Sequence, residues 1–396
     1  MKSKKKKLLT FTLILGLVFG ASSCKSDKDK GSNEKSADKN SKEVVTVWTS
    51  GSENVKETWR KLADGFNNNE EYNQGKYEMQ VQHVSSGTGA TNLFDRVISQ
   101  YKSGKKESEF DLVEVNGGEY EIYTKEGGKD IFLDIEKDKL KNKDKVKSDQ
   151  LASGSEQLVP YRGTTVVLAY DENKVKNPPK TDKELYKWIK DNPGQFAYCT
   201  PGSGGSGASF VLTSVYNFLP EESLYSNDKK WEEKWDQGFK LLKELHPFMY
   251  KSSGKVVYPN KNQGSLDLLM NGQISMTPSW VDLIISQLNQ GTLPDSIKMV
   301  QIKPSFTGDL VSLGIPKNTK NKDGALAIID YALSKDAQTI LLDEMGAFPV
   351  IDANEIDSKN KDLISSFKIE DFRSYDIGNL SQDLAERWDK EISTLE

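Results

Sequence analysis

The chain has 396 residues, 29% of them charged and 36% hydrophobic, with a formal net charge of -5 at pH 7. An acidic chain lacks the cationic footprint that nucleic acid demands, so no nucleic-acid partner is expected. Its length predicts more than one core.

The first residues predict export. Lys2, Lys4, Lys5, Lys6 and Lys7 form a basic head, followed by an apolar run from Leu8 to Gly20. That run is too short for a bilayer core, which needs roughly 20 apolar residues, so residues 1–23 read as a cleaved signal peptide. The run ends in Ala21-Ser22-Ser23-Cys24, which resembles a bacterial lipobox with Ala21 where Leu is usual. The resemblance implies that Cys24 is lipidated and that its acyl chains (palmitate among them) hold the protein to the membrane, since two or more chains anchor stably where one is marginal. Residues 24–43 are Lys, Ser, Asp, Asn, Gly and Glu with almost nothing apolar. Such a segment cannot offset its ordering entropy, and it reads as a flexible tether reaching roughly 25 Å. The Lys- and Asn-rich composition points to the outer face of a Gram-positive cell membrane.

From Val44 onward the pattern alternates. Val44–Trp48 is a β-branched run, stopped by Thr49-Ser50-Gly51-Ser52, and Val55, Trp59, Leu62, Ala63 and Phe66 then form a helical stripe. The unit recurs as a strand over Tyr77–Val84, a Ser85–Gly89 loop containing Ser86, Gly87 and Thr88, and a helix over Thr91–Tyr101. A third strand, Phe110–Val115, ends at Asn116-Gly117-Gly118. Strands alternating with helices predict a mostly parallel sheet, with ligand-facing loops at the carboxyl ends of its strands. Further strands are expected at Thr164–Tyr170, Phe196–Cys199, Gly272–Thr277 and Leu310–Ile315. Between them a glycine-rich loop over Pro201–Gly207 precedes a helix from Ala208, Trp231–Leu245 is helical, and Pro278-Ser279-Trp280 is a loop.

The order of these pieces resembles the extracellular solute-binding proteins that feed ATP-driven importers. It is carried by Val44–Trp48 with its Ser/Gly loop, Asp111–Gly117, Val159–Asp171 before Pro178-Pro179-Lys180-Thr181, Leu268–Trp280, Leu310–Lys317 and Ala325–Ala337. Asn192–Tyr198 and Gly207–Val211 resemble a subgroup associated with thiamine-like substrates. The resemblance implies an α/β, two-lobed type II periplasmic-binding fold, each lobe a mostly parallel sheet flanked by helices, with two hinge crossovers. Lobe one is expected at 44–162 plus 309–346, and lobe two at 163–308 plus 347–396. The implied partners are a small solute, the permease and ATPase of an importer, and the membrane through the lipid anchor.

Candidate ligand residues follow from both readings. The Ser/Gly loops offer Ser50, Gly51, Ser52, Ser86, Gly87 and Thr88, with Asn116 and Gly117 at the third strand end. Trp48, Tyr161 and Trp280 offer aromatic walls, with Ser279 beside the last. Gly202–Gly207 has the form GxGxxG, but Pro201 interrupts the turn and an exported protein meets little dinucleotide, so no cofactor is expected. Gly204, Gly205 and Ser206 instead present backbone N–H groups at a helix start, suited to an anionic or thiamine-like solute. Helix capping and core packing are the plain alternatives for these positions.

Catalytic and metal patterns are missing from the sequence. It contains no G-x-S-x-G, H-E-x-x-H or P-loop lysine, and the two histidines, His83 and His246, have no nucleophile motif beside them. Cys199 is the only thiol besides Cys24 and no Cys/His cluster suggests zinc. A binding protein rather than an enzyme is therefore expected, with a secreted hydrolase and a surface sensor or adhesion module as alternatives. Glu114, Glu119 and Asp282 are carboxylates that could meet in space.

Overall fold

In the computed structural model, residues 42–85, 91–148, 151 and 155–395 are described. The signal peptide, Cys24, the tether up to residue 41 and the Ser86, Gly87 and Thr88 candidates lie outside these residues, while Glu43, expected to close the tether, already belongs to the first strand.

The frame begins with β1 (Glu43–Gly51), whose Val45, Val47 and Thr49 are buried while the residues between them are not. This alternation lets one face pack inward. β2 (Tyr77–Ser85) runs parallel to β1 along its whole length, and β3 (Leu112–Val115) pairs parallel on its other side. The stripe on the Glu53–Asn67 helix packs as expected, with Val55, Trp59, Leu62, Ala63 and Phe66 all buried. Each large side chain of this kind stabilises the fold by about 1.5–3 kcal/mol.

One strand serves two sheets. β4 (Leu158–Asp171) pairs antiparallel through Leu158–Thr165 with β9 (Gly308–Gly314), and at Arg162 and Gly163 with β10 (Phe348–Pro349). Its second half, Val166–Asp171, pairs with β7 (Met276–Trp280) and β8 (Ile297–Val300). A small hairpin, β5 (Lys251–Ser252) and β6 (Lys255–Val256), stands apart. The first sheet has the order β10-β4-β9-β3-β1-β2. The apolar core is divided accordingly. One cluster gathers Val45, Val47, Trp59, Leu313 and Ile329, another Phe196, Phe210, Val215, Trp235 and Trp388, and a third Val84, Val97, Phe110 and Phe132. Beyond β10, Val350–Phe367 joins the first cluster and Tyr375–Ile392 the second.

Several expectations are corrected. Among the named strands parallel pairing is confined to β1–β2 and β1–β3, because β4 and β9 return through the sheet in the opposite direction. Phe196–Cys199 is not a strand, and only Phe196 bridges, in parallel, to Met276. The strand expected at Gly272–Thr277 begins later and continues through Pro278 to Trp280. Past Met276 β7 pairs only with β4, so the missing proline N–H removes no ladder bond. The Trp231 segment is a 3-10 turn over Lys229–Lys234 followed by a helix at Asp236–Leu245. The glycine-rich loop is shorter than expected, since its helix already starts at Gly205 and runs to Tyr216. Side chains supply acceptors to that first turn: Asn262 Oδ1 accepts the Ser206 N–H at 3.0 Å and Cys199 Sγ the Gly207 N–H at 3.2 Å.

Candidate functional site

Two helices begin at one cavity. The Glu53–Asn67 helix follows directly from β1, and the Lys261–Met270 helix follows the Tyr258–Asn260 loop. Their first turns, with Gly51, Ser52, Ser85 and the Leu283–Gln290 face of the helix at Val281–Asn289, enclose about 380 Å³. That volume suits a small molecule. The lining is polar: Glu53, Asn54 and Glu57 on one wall, Lys261, Asn262 and Gln263 on another, and Ser286, Gln287 and Gln290 on a third. Gln287 Nε2 donates to Gln263 Oε1 at 2.5 Å, tying two walls together.

Gly51 and Ser52 are the expected residues that line this space. Gly51 has φ +139, a conformation that suits glycine at the turn into the helix. Ser50 sits one step behind: its N–H donates to Glu114 Oε2 at 3.3 Å, and its hydroxyl accepts from Asn116 Nδ2 at 3.3 Å. Asn116 also donates its backbone N–H to Glu119 Oε2 at 2.9 Å. Gly117 lies against Asp309, whose Oδ2 would be 2.0 Å from a Cβ placed there.

Gly204, Gly205 and Ser206 gather around Asn262 and Trp280. A Cβ on Gly205 would meet the Trp280 indole at 3.0 Å, and Asn262 Oδ1 accepts both the N–H and the hydroxyl of Ser206 at 3.0 Å. Ser279 is fully buried, and its hydroxyl has no partner among the described residues. Trp48 and Tyr161 are not brought to the cavity. Trp48 packs with its ring 4.7 Å from that of Phe110, tilted by 53°, and donates its indole N–H to the Glu109 carbonyl at 3.1 Å, because its position on β1 points it away from Val45 and Val47. Tyr161 is fully buried with its ring 5.4 Å from Trp59.

Tyr161 belongs instead to an ionic cluster. The register of β4 on β9 shifts between Pro160 and Arg162, leaving Tyr161 as the extra residue. This bulge lets neighbouring side chains, which a regular strand sends to opposite faces, reach one carboxylate. Tyr161 OH and Arg162 Nη2 each donate to Glu114 Oε1 at 2.7 Å. Arg162 Nη1 faces Asp282 Oδ2 at 3.8 Å, and Thr164 Oγ1 donates to the same oxygen at 3.2 Å. Glu114 and Asp282 thus do meet, through an arginine between them. Desolvation raises the Asp282 pKa, with the Arg162 charge opposing it. Desolvation also pushes Glu119 up to about 7 and Asp309 up to about 6. His83 is held below its ordinary value by desolvation, with its ring nitrogens 3.0 Å from Thr49 Oγ1 and 3.2 Å from the Gly51 carbonyl.

The comparisons with known proteins agree with this architecture. The model of the bacterial extracellular solute-binding protein family matches residues 69–359. The chain belongs to that family. This solute-binding protein is similar to an ABC transporter substrate-binding protein from Bradyrhizobium japonicum, with a TM-score of 0.63 at 17% identity over 88% of this chain and 99% of that one. It is similar also to the Atu4243-GABA receptor, with a TM-score of 0.63 at 18% identity over 89% and 98%. Among curated proteins, Protein YnjB of Escherichia coli (strain K12) is 22% identical over 183 residues, 45% of this chain and 46% of that protein. The match thus spans about half the length of that relative.

The fold is the two-lobed type II periplasmic-binding fold. Family membership implies a small solute as ligand and a place outside the cytoplasm. Among the described residues no helix is long and apolar enough to cross a membrane, and no group of three or more His, Cys, Asp or Glu could hold a metal.

Sequence reasoning missed Asn54, Lys261, Gln263, Gln287 and Gln290 as cavity residues. Polar residues at helix starts and on a helix face read as solvated surface until the opposite wall is in place. Arg162 had a usable signal, a lone charge inside an otherwise uncharged strand segment.

Proposed function

We propose that this protein captures a small polar solute between its lobes and delivers it to the permease and ATPase of an importer. Lobe one comprises about 44–162 and 309–346, lobe two about 163–308 and 347–396, and a lipid on Cys24 holds the protein to the outer face of the membrane. The observation that carries this reading is the 380 Å³ polar cavity, whose walls come from the helix after β1 on one side and from the helices flanking β7 on the other. Because β4 runs through both sheets, a solute touching both walls favours the closed arrangement by its differential affinity. Transport by the host tests the proposal. Deleting the gene should abolish uptake of the solute that the purified protein binds, and unchanged uptake would leave the delivery role without support.

A thiamine-like solute is the finer reading. It rests on Trp280, half-buried over Gly205, as an aromatic face; Trp280 does not itself line the cavity but directly precedes the Val281–Asn289 helix that does, and Trp48 is already engaged by Phe110. Titration with thiamine and its phosphates, repeated on Trp280→Ala, separates this solute from a sugar or a polyamine.

A further inference from the structure

We propose that the carboxyls of Glu121 and Asp376 form a proton-dependent latch between the lobes, holding each other while they share a proton and parting when both are charged. The inference goes beyond solute capture and rests only on the lobe assignment above. Glu121 belongs to lobe one, on the short helix Glu119–Ile122 that follows β3. Asp376 belongs to lobe two, on the segment that carries Tyr375 and Ile377 into the second apolar cluster. Neither residue lines the cavity.

The contact between the two segments is close. Gly118 and Gly378, at φ +78 and +52, let the chains approach. A Cβ on Gly118 would lie 2.8 Å from the Tyr375 carbonyl oxygen, and one on Gly378 would lie 3.2 Å from Glu121 Oε2. Asn227, also of lobe two, donates its amide to Glu121 Oε1. The Glu121 carboxyl is hydrogen-bonded to that of Asp376 as well. Ionised carboxylates only accept, so two of them bond to each other only when one carries a proton.

No cation takes over when that proton leaves. Neither carboxyl forms an ion pair among the described residues. Lys125, on the same stretch as Glu121, acts on it only through its charge. From lobe two, Arg373 lies over the Tyr375 ring at 5.2 Å and donates to Asn217, while the Tyr375 hydroxyl is held protonated by burial. Beside Asn227, Lys229 pairs with Asp383 at 3.7 Å and Lys230 with Asp228 at 3.1 Å. The other ionisable neighbours are acids: Glu119 on the helix of Glu121, and Asp309, which acts on Asp376. Burial, then the Asp376 charge, raises the Glu121 pKa. An acid raised by a contact strengthens that contact at low pH and weakens it as pH climbs past the ordinary carboxylate range. Acid therefore favours the closed lobes, through the same equilibrium that a solute biases.

Hydrogen exchange of the full chain without added solute, corrected for the intrinsic rate, tests the latch. Residues 117–122 and 374–378 should lose protection together, by about tenfold between about pH 5 and about pH 8, as for two carboxyls that interact by about one pK unit. The Glu53–Asn67 helix should keep its protection. Glu121→Gln and Asp376→Asn, which remove one charge and keep a hydrogen-bonding amide, should each abolish the loss. Equal protection at both pH values, a loss confined to one of the two segments, or the same loss in both variants overturns the latch. None of these results bears on solute capture, since no solute is present.

Discussion

Arg162 Nη2 lies 2.7 Å from Glu114 Oε1, with side-chain exposures of 3% and 0%. The pair joins the two cavity walls at their roots. Glu114 accepts the N–H of Ser50, which precedes the lining residues Gly51 and Ser52, while Arg162 faces Asp282, which precedes Leu283 on the opposite wall. Replacing Arg162 by Met leaves two buried carboxylates without their counter-charge. We expect a loss of about 3–5 kcal/mol of stability in urea unfolding. Arg162→Lys should recover part of it, because the charge remains but the fork that serves Tyr161, Glu114 and Asp282 does not. A loss in Arg162→Met smaller than ~1 kcal/mol would show the cluster to be energetically idle.

Glu119 supplies a pH dependence. Its folded pKa is raised from 4.5 to about 7, first by desolvation and then by the Glu114 charge, against the hydrogen bonds from Asn116. For an acid raised on folding, the native state binds the proton more tightly than the unfolded chain, so stability falls as pH rises between those two values. The fall from this group should be about 1–3 kcal/mol between pH 4.5 and 7. Asp309, raised to about 6 by desolvation, adds a fall in the same direction at lower pH. Glu119→Gln should flatten the upper part of the curve and stabilise the protein above pH 7. An unchanged profile contradicts the assignment to Glu119.

Gly207 admits no side chain. A Cβ there would lie 1.8 Å from the Cys199 carbonyl oxygen and 2.9 Å from its Sγ. The close approach lets Cys199 Sγ accept the Gly207 N–H and holds the start of the Gly205–Tyr216 helix against Asn262. Gly207→Ala should lower stability by about 1–3 kcal/mol through overpacking, read as a lower Tm. A wild-type Tm would mean that this contact relaxes without cost.

Membrane attachment is tested separately. Cys24→Ala should leave the protein unprocessed or released into the medium, as seen by fractionation and intact mass. Retention and processing identical to wild type would contradict lipidation at Cys24 and point to an uncleaved N-terminal anchor instead.

The fold was largely legible because its signals are local. The β-branched run at Val44–Trp48 and the Val55–Phe66 stripe are decided by nearest-neighbour periodicity, and both fold as read. The direction of β4 and β9 was not, since antiparallel return depends on residues some 150 positions apart, Leu158 beside Gly314 among them. The candidate site was legible as loops and not as lining. Gly51 and Ser52 reach the cavity because they end a parallel strand. Trp48 does not, because its parity on β1 sends it to Phe110. Lys261 and Gln287 become cavity residues only once helices distant in sequence face the turn after β1.

Solute capture in this cavity is tested most directly by native mass spectrometry of the protein purified from its host, beside the variant Gln290→Trp, which fills the cavity from its rim. The wild-type protein should carry one small molecule per chain, lost after unfolding and refolding, and Gln290→Trp should carry none while keeping the Tm of the refolded, ligand-free wild type. A wild-type protein with no bound molecule that also takes none up from host growth medium, or a variant that binds as well as wild type, would contradict the account.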